Sequence, residues 1–246
     1  MTILIITILI LFYYGFLAHR INGGVTAWLT SNYFQSGKHT HAQISATLRL
    51  ACSGVQQFLF FILLVFISNL FWSDLIPKNW NATMIPLGLL LGIAEMSLIM
   101  FVSDLMMRLT RILFPEKTPS TNEEWYIISQ GGWMRSFRNA IKILPLPASL
   151  ALIFLYVSIE ETIFRALIIG SLKNQGIWAI IVSLVLFVWV QAFNTPSWSN
   201  SIFPMTGAAI MGVVHGILYF FVPDIFPLVI AHVTMFFAAT FSITTK

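Results

Sequence analysis

Charged residues are scarce in this chain, and their scarcity excludes most soluble folds. Only 9% of the 246 residues are Asp, Glu, Lys or Arg, whereas 58% are hydrophobic. Soluble domains usually contain about 25% charged residues. Cysteine is almost absent as well, because Cys52 is alone, and this excludes an intrachain disulfide. The composition predicts an all-α, polytopic membrane protein. A net charge of +4 gives no indication of nucleic-acid binding.

Long apolar runs, by contrast, recur along the sequence. A membrane-spanning helix needs about 20 mostly apolar residues. We expect a transmembrane helical bundle of six to eight spans, with seven candidates: Thr2–Ala18, Leu50–Phe71, Met84–Met107, Pro147–Leu172, Ile177–Phe193, Phe203–Val222 and Ile225–Ile243. No basic segment precedes the first run and no small-residue cleavage site follows it, so we expect a span there and not a signal peptide.

Basic residues predict the orientation of these spans. If the spans alternate, ten basic residues fall on one side: Arg20, Lys38, Arg49, Arg108, Arg111, Lys117, Arg135, Arg138, Lys142 and Lys246. Two, Lys78 and Lys173, fall on the other. The positive-inside rule then places the basic loops and the C-terminus in the cytoplasm, in what we expect to be the cell membrane. The polar loop 108–142 is either an ordinary connection or contains a short interfacial helix around Glu123–Trp133.

Three formal charges lie together in the fourth predicted span. Glu160, Glu161 and Arg165 are surrounded by Leu, Ile, Phe, Val and Ala. An ionisable group at membrane depth costs about 2.5–3.5 kcal/mol on insertion scales, so such groups usually have a function. Glu161 and Arg165 are four residues apart and can pair on one helix face. Glu160 lies about 100° around the helix, which leaves its carboxylate available for acid–base chemistry.

Further polar residues occur deep in the other predicted spans. Gln191, His215 and His232 lie in the fifth, sixth and seventh spans, and Glu95 lies in the third without an obvious partner. A lone histidine in a membrane helix is often a simple helix contact, but two of them beside a glutamate pair favour a site. Glutamate and histidine are also zinc ligands. The sequence has no HExxH motif and no close histidine pair, so we expect neither a metal nor another cofactor.

The order of these residues resembles a known family. Glu160-Glu161-Thr162-Ile163-Phe164-Arg165 matches the EExxxR motif of the CAAX protease and bacteriocin-processing family, the CPBP or ABI family of glutamic intramembrane proteases. Phe187 lies where that family's second motif, FxxxH, begins. His232, at the end of Pro227–His232, resembles the start of the third motif, HxxxN. The resemblance covers roughly Pro147–Ile243. We therefore divide the chain into N-terminal spans with their loops, 1–142, and a core, 143–246, within a single membrane domain.

The resemblance implies an enzyme that hydrolyses a peptide bond of a membrane-associated peptide or protein. In the family, the first glutamate and the second-motif histidine activate a water, and the third-motif residues stabilise the oxyanion. The implied catalytic set here is Glu160 as base, Glu161 paired with Arg165, Gln191, and His232 as oxyanion donor. His215 is an accessory candidate.

Two positions depart from the family pattern. Gln191 stands where the second motif has histidine, and Phe236 stands where the third motif has asparagine. Glutamine cannot take up a proton near neutral pH, and phenylalanine offers no hydrogen-bond donor. Three interpretations therefore remain open: an active or divergent protease, a degenerate member that acts as a peptide-binding, scaffold or immunity protein, and a transporter or metal-dependent enzyme that uses the same acids.

Overall fold

The computed structural model describes residues 2–33, 40–68, 75, 82–129, 132–193, 195 and 197–241. These residues form a helical bundle with no strand among them, as predicted. The helices of the N-terminal part are α1 (Thr2–Phe12), α2 (Ala18–Tyr33), α3 (His41–Ser68), α4 (Met84–Leu113), α5 (Asn122–Ser129) and α6 (Gly132–Ile143). The C-terminal part contains α7 (Leu146–Glu161), α8 (Ile177–Phe193), α9 (Trp198–Phe221) and α10 (Phe226–Phe241).

Wider and tighter helical turns join some of these helices. A π-helical turn, Tyr13–Leu17, joins α1 to α2, and a longer π segment, Thr162–Ile169, continues α7 into a last α-turn at Gly170–Leu172. Two short 3₁₀ turns, Pro115–Lys117 and Lys173–Gln175, follow α4 and the α7 segment. Each of the seven predicted spans therefore corresponds to a helix or a continuous run of helical turns.

Four helices in the described part of the chain are long and apolar enough to cross a membrane: Thr2–Asn32, His41–Ser68, Met84–Leu113 and Trp198–Phe221. Two shorter apolar helices, Ile177–Phe193 and Phe226–Ala239, correspond to the fifth and seventh predicted spans. The fourth predicted span lies on the run from Leu146 to Leu172. The bundle is that of an integral membrane protein.

Several helices extend beyond the predicted spans. The helical run of the first span continues to Tyr33, so Arg20 lies on a helix and not in a loop. In this extension the Thr30 hydroxyl donates a hydrogen bond of 2.7 Å to the carbonyl oxygen of Thr26. Helix α3 begins at His41, nine residues before the predicted Leu50, because Thr40 and Gln43 exchange capping hydrogen bonds of 3.0 and 3.3 Å. Polar helical turns of this kind carry no hydropathy signal. Phe71, Ile243, Lys38, Lys78 and Lys246 lie outside the described residues.

The polar loop contains two helices, α5 and α6, where one short helix around Glu123–Trp133 was an alternative to a plain connection. The start of α5 is capped reciprocally: the Glu124 carboxylate accepts from the backbone N–H groups of Ser120 and Thr121, and the Glu124 N–H donates to the Thr121 hydroxyl. These N–H groups lower the pKa of Glu124. Helix α6 packs against α3, and the buried ring of its Phe137 contacts Tyr156 of α7 and Phe236 of α10.

Glycines set the closest helix contacts around the site. Helix α4 packs along α10, and a Cβ atom at Gly88 would lie 2.6 Å from the Cβ of Ile230. Helix α9 packs along α8, where Gly216 would bring a Cβ to 2.9 Å from Ile180 Cγ2. Small residues at these positions let the backbones approach closely, as in other membrane bundles. The bundle thereby brings side chains of α4, α7, α8, α9 and α10 to one buried centre.

Candidate active site

Glu161 lies at the centre of the buried polar cluster. Its Oε2 atom is 3.2 Å from Nε of Arg165, which confirms the predicted pairing on one helix face. The same oxygen is 3.1 Å from Nδ1 of His215, and Oε1 is 2.7 Å from Nδ1 of His232. Glu161, Arg165, His215 and His232 are each at most 1% exposed. The π segment after α7 and two further helices, α9 and α10, thus converge on one carboxylate.

Arg165 is held by more than its carboxylate. Its Nη1 atom donates to the Ser183 hydroxyl of α8 at 3.0 Å, and that hydroxyl donates to the carbonyl oxygen of Phe164 at 2.6 Å. The guanidinium carbon also lies 4.9 Å from the ring centroid of Phe187, close enough for a cation–π contact. These contacts join α8 to the π segment, whose eight residues are all buried. Wide turns of this type are frequent at functional sites.

Glu160 takes no part in the ion pairs of this cluster in the described residues, and its helical position predicts this. It is 1% exposed, and neither of its carboxylate oxygens has a hydrogen bond of ordinary geometry in the described residues. The hydroxyl of Tyr156, one turn earlier on α7, lies close enough to interact with it. Glu160 therefore keeps both oxygens available as hydrogen-bond acceptors.

Glu95 does have a partner, which the sequence did not reveal. Its carboxylate oxygens lie 3.1 and 3.2 Å from Nε2 of His215, although the two residues are 120 positions apart. Glu95 is 3% exposed. One signal pointed to it: Glu95 follows Gly88 by seven residues and Gly92 by three, so it lies on the helix face that packs against α10. The accessory candidate His215 is thus bound on both sides by carboxylates.

A small pocket lies between α8, α9 and α10. Its polar lining side chains are Gln191 and His232, and the rest are apolar or small: Phe187, Phe203, Pro204, Gly207, Ala208, Met211, Met235 and Phe236. The free space holds about one water molecule. Both positions that depart from the family pattern therefore line the pocket beside His232. Phe236 contacts the His232 ring with centroids 5.0 Å apart, and Glu160 is not among the lining residues.

Comparison with known proteins bears on the same part of the chain. Residues 142–238 match the family model described as Type II CAAX prenyl endopeptidase Rce1-like. The predicted family resemblance is confirmed. The matched segment contains Glu160, Glu161, Arg165, Gln191, His215 and His232. No curated protein and no solved structure matches the chain.

The charged and polar side chains of this cluster mainly contact one another. Glu161 binds Arg165, His215 and His232 directly. In the part of the chain that the structure describes, no group of three or more His, Cys, Asp and Glu side chains is arranged to hold a metal ion. What the site offers is therefore a carboxylate bound by three cationic or imidazole side chains, a second carboxylate at Glu160 beside the Tyr156 hydroxyl, and a pocket whose polar lining is one imidazole and one amide.

Proposed function

We propose that this protein is an intramembrane endopeptidase of the CPBP type, which hydrolyses a peptide bond of a membrane-associated peptide or protein. The observation that carries the proposal is the burial of Glu160, Glu161, Arg165 and His232 within the segment that matches the CAAX-protease family. Buried ionisable groups at membrane depth are expensive and usually functional. The adjacent pocket has room for about one water molecule, and hydrolysis requires one.

In this proposal Glu160 is the base. Its carboxylate takes a proton from a water molecule, the water oxygen bonds to the carbonyl carbon, and the proton passes to the leaving nitrogen as the C–N bond breaks. Glu161 and Arg165 fix the helix that carries Glu160. Glu160 is not among the pocket-lining residues, so the scissile bond would lie between its carboxylate and the side chains of Gln191 and His232.

The surroundings suit a substrate that arrives through the membrane. The pocket lining is mostly Phe, Met, Pro, Gly and Ala, which fits an apolar segment. The substrate class we propose is accordingly a lipid-bound or membrane-inserted peptide. The predicted orientation, with basic loops on the cytoplasmic side of the cell membrane, would place cleavage of such peptides in that membrane.

The test is a processing assay in cells and in nanodiscs, with membrane-anchored reporter peptides that include a prenylated C-terminal peptide. The variant Glu160→Gln keeps the side-chain volume and removes the proton acceptor, so we expect kcat to fall by about 10²–10⁴-fold. The matched control is Glu123→Gln, which neutralises an exposed glutamate of the polar loop and should cleave like the wild type. Equal cleavage by wild type and Glu160→Gln would contradict the role of Glu160.

A second function is favoured by Gln191 and Phe236. With an amide and a phenyl ring where the family has histidine and asparagine, the protein would hold a membrane peptide without cutting it. This interpretation predicts a wild type that binds the reporter peptide and leaves it intact. It also predicts that the double variant Gln191→His, Phe236→Asn cleaves it. Cleavage by the wild type would exclude this second function.

A further inference from the structure

Four side chains from four helices form one buried chain of contacts. Glu95 of α4 contacts Nε2 of His215 on α9, Nδ1 of His215 contacts Glu161 of α7, and Glu161 contacts Nδ1 of His232 on α10. The distances are 3.1, 3.1 and 2.7 Å, and no member is more than 3% exposed. Glu95 lies outside the segment 142–238 that matches the family model, and neither Glu95 nor His215 belongs to the three family motifs.

This chain determines which nitrogen of His232 carries hydrogen. A carboxylate oxygen is an acceptor, so the 2.7 Å contact with Glu161 requires a hydrogen on Nδ1 of His232. In a neutral imidazole the other nitrogen, Nε2, is then an acceptor. The logic is that of a carboxylate that holds a catalytic histidine in one tautomer.

The charges around Glu161 favour the neutral form of His232. His215 has a carboxylate oxygen 3.1 Å from each ring nitrogen, and as an imidazolium it is the cation that pairs with both carboxylates. The two carboxylates that contact His215, Glu95 and Glu161, are then paired with His215 and Arg165. In the described residues, Glu161 is the one carboxylate within ion-pair distance of His232, and Arg165 and His215 already share it. Without Glu95, His215 would lose the acceptor at Nε2 and this balance would change.

Gln191 supplies the complementary group. It lines the same pocket as His232, and its side-chain amide carries two N–H donors. Glutamine cannot accept a proton, but it can donate a hydrogen bond to an oxyanion, as asparagine does in known oxyanion holes. Both departures from the family pattern then have one explanation. His232 supplies the acceptor and Gln191 supplies the donor, whereas the pattern implies an acceptor at position 191 and a donor at His232.

We propose that Glu95 is a positioning residue that acts through His215 and Glu161 to present Nε2 of His232 as an acceptor, while Gln191 serves as the oxyanion donor. The two pocket groups thereby exchange the roles that the family pattern implies. This inference rests on the proposed protease function.

In the hydrolytic step, His232 Nε2 accepts a hydrogen bond from the attacking water, and Glu160 takes the proton. The water oxygen bonds to the carbonyl carbon, and the resulting oxyanion accepts from Gln191. The proton then passes from Glu160 to the leaving nitrogen as the C–N bond breaks.

The kinetic test compares kcat and KM for Glu95→Gln with those of the wild type. Loss of a carboxylate that orients a ligand or catalytic histidine typically lowers activity by about 10–100-fold, and we expect that fall in kcat with KM within about twofold. Asp104→Asn is the matched control, because Asp104 lies on the same helix and pairs with Arg108 at the exposed surface. Gln191→Glu tests the donor and should lower kcat by about 10²–10³-fold.

A measurement that needs no activity separates this inference from the proposed function. The full-length protein is labelled with ¹⁵N-histidine in nanodiscs, and the His232 resonance is assigned from its absence in His232→Asn. We expect hydrogen on Nδ1 of His232 in the wild type, and an altered resonance in Glu95→Gln and in His215→Gln, the second variant that breaks the chain. An unchanged His232 resonance and kcat within twofold of the wild type in both variants would overturn the role of Glu95. A wild type that cleaves no reporter but shows this tautomer would contradict the protease function and leave the Glu95 contact chain supported.

Discussion

Helices α1 to α4 and the helices of the matched segment differ in what they bury. In the most apolar stretches of Thr2–Asn32, His41–Ser68 and Met84–Leu113, 22%, 39% and 28% of the residues are buried, against 44% for Trp198–Phe221. The π segment after α7 is buried throughout. Much of the N-terminal surface is therefore exposed and apolar, whereas the C-terminal helices face one another around charged groups.

Glu95 is the exception that connects the two regions. Before residue 142, it is the one acidic or basic side chain among the described residues that is buried. Its partner belongs to the C-terminal cluster. Among the described residues, the N-terminal helices thus contribute one buried acid to the cluster, while the C-terminal helices contribute its other charged side chains. Three substitutions test this division, each with a comparison variant.

The largest effect is expected for Arg165→Met, because it leaves Glu161 without its guanidinium partner in the buried cluster. Breaking a buried pair in this way typically costs about 3–5 kcal/mol in the free energy of unfolding. Arg108→Met breaks the exposed pair with Asp104 on α4 and should cost about 0–1 kcal/mol. Unfolding in mixed micelles, followed by circular dichroism, measures both. Similar losses in the two variants would mean that the two regions do not differ as described.

A smaller effect is expected for Gly88→Ala, at the contact between the regions. The added methyl group would lie 2.6 Å from Ile230 Cβ and 2.8 Å from the carbonyl oxygen of Pro227, so α4 and α10 would have to separate. Overpacking of this kind typically costs about 1–3 kcal/mol. The control is Gly24→Ala on α2, which meets no atom within 4 Å and should be neutral or stabilising. The same unfolding assay applies, and a neutral Gly88→Ala would refute the tight seam.

The smallest effect is expected within the N-terminal region. Gln57 of α3 donates to the Tyr14 hydroxyl at 3.2 Å, and both side chains are buried. Hydrogen bonds between membrane helices contribute about 0.6 kcal/mol on average, so Tyr14→Phe should lower the free energy of unfolding by about that amount. The double variant Tyr14→Phe, Gln57→Leu removes both partners and should be close to neutral. A loss comparable to that of Arg165→Met would show that this contact is as important as the charged cluster.

Most of the fold could be predicted from the sequence because membrane spans have a length and a composition. Ile177–Phe193 was predicted with the bounds that the structure gives. The helix ends were missed where polar turns continue, as at His41, because caps and local hydroxyl contacts decide those ends and hydropathy does not. Glu161 and Arg165 were predicted as a pair because a spacing of four residues fixes their geometry.

The site could be predicted only in part. The motif order indicated Gln191, His232 and Phe236, and the structure places them at one pocket. The contact of His215 with Glu95 could not be predicted, because helix packing and not sequence spacing brings them together. The roles of all these residues in catalysis remain predictions that the variants described above test.

The distance in sequence between Glu95 and His215 has a consequence for biosynthesis. At about 5–20 residues per second, the 120 residues between them take about 6–24 s to synthesise. During that interval Glu95 of α4 is present without His215, the partner that it has in the folded protein. Even with Glu95, the most apolar 18-residue stretch of α4 has a mean hydropathy of 2.1, against 1.6 for that of the helix that carries His215, so α4 is apolar enough to cross a membrane. The strongly apolar composition of α4 thus makes the order of assembly feasible, since Glu95 arrives first and the base it binds comes later.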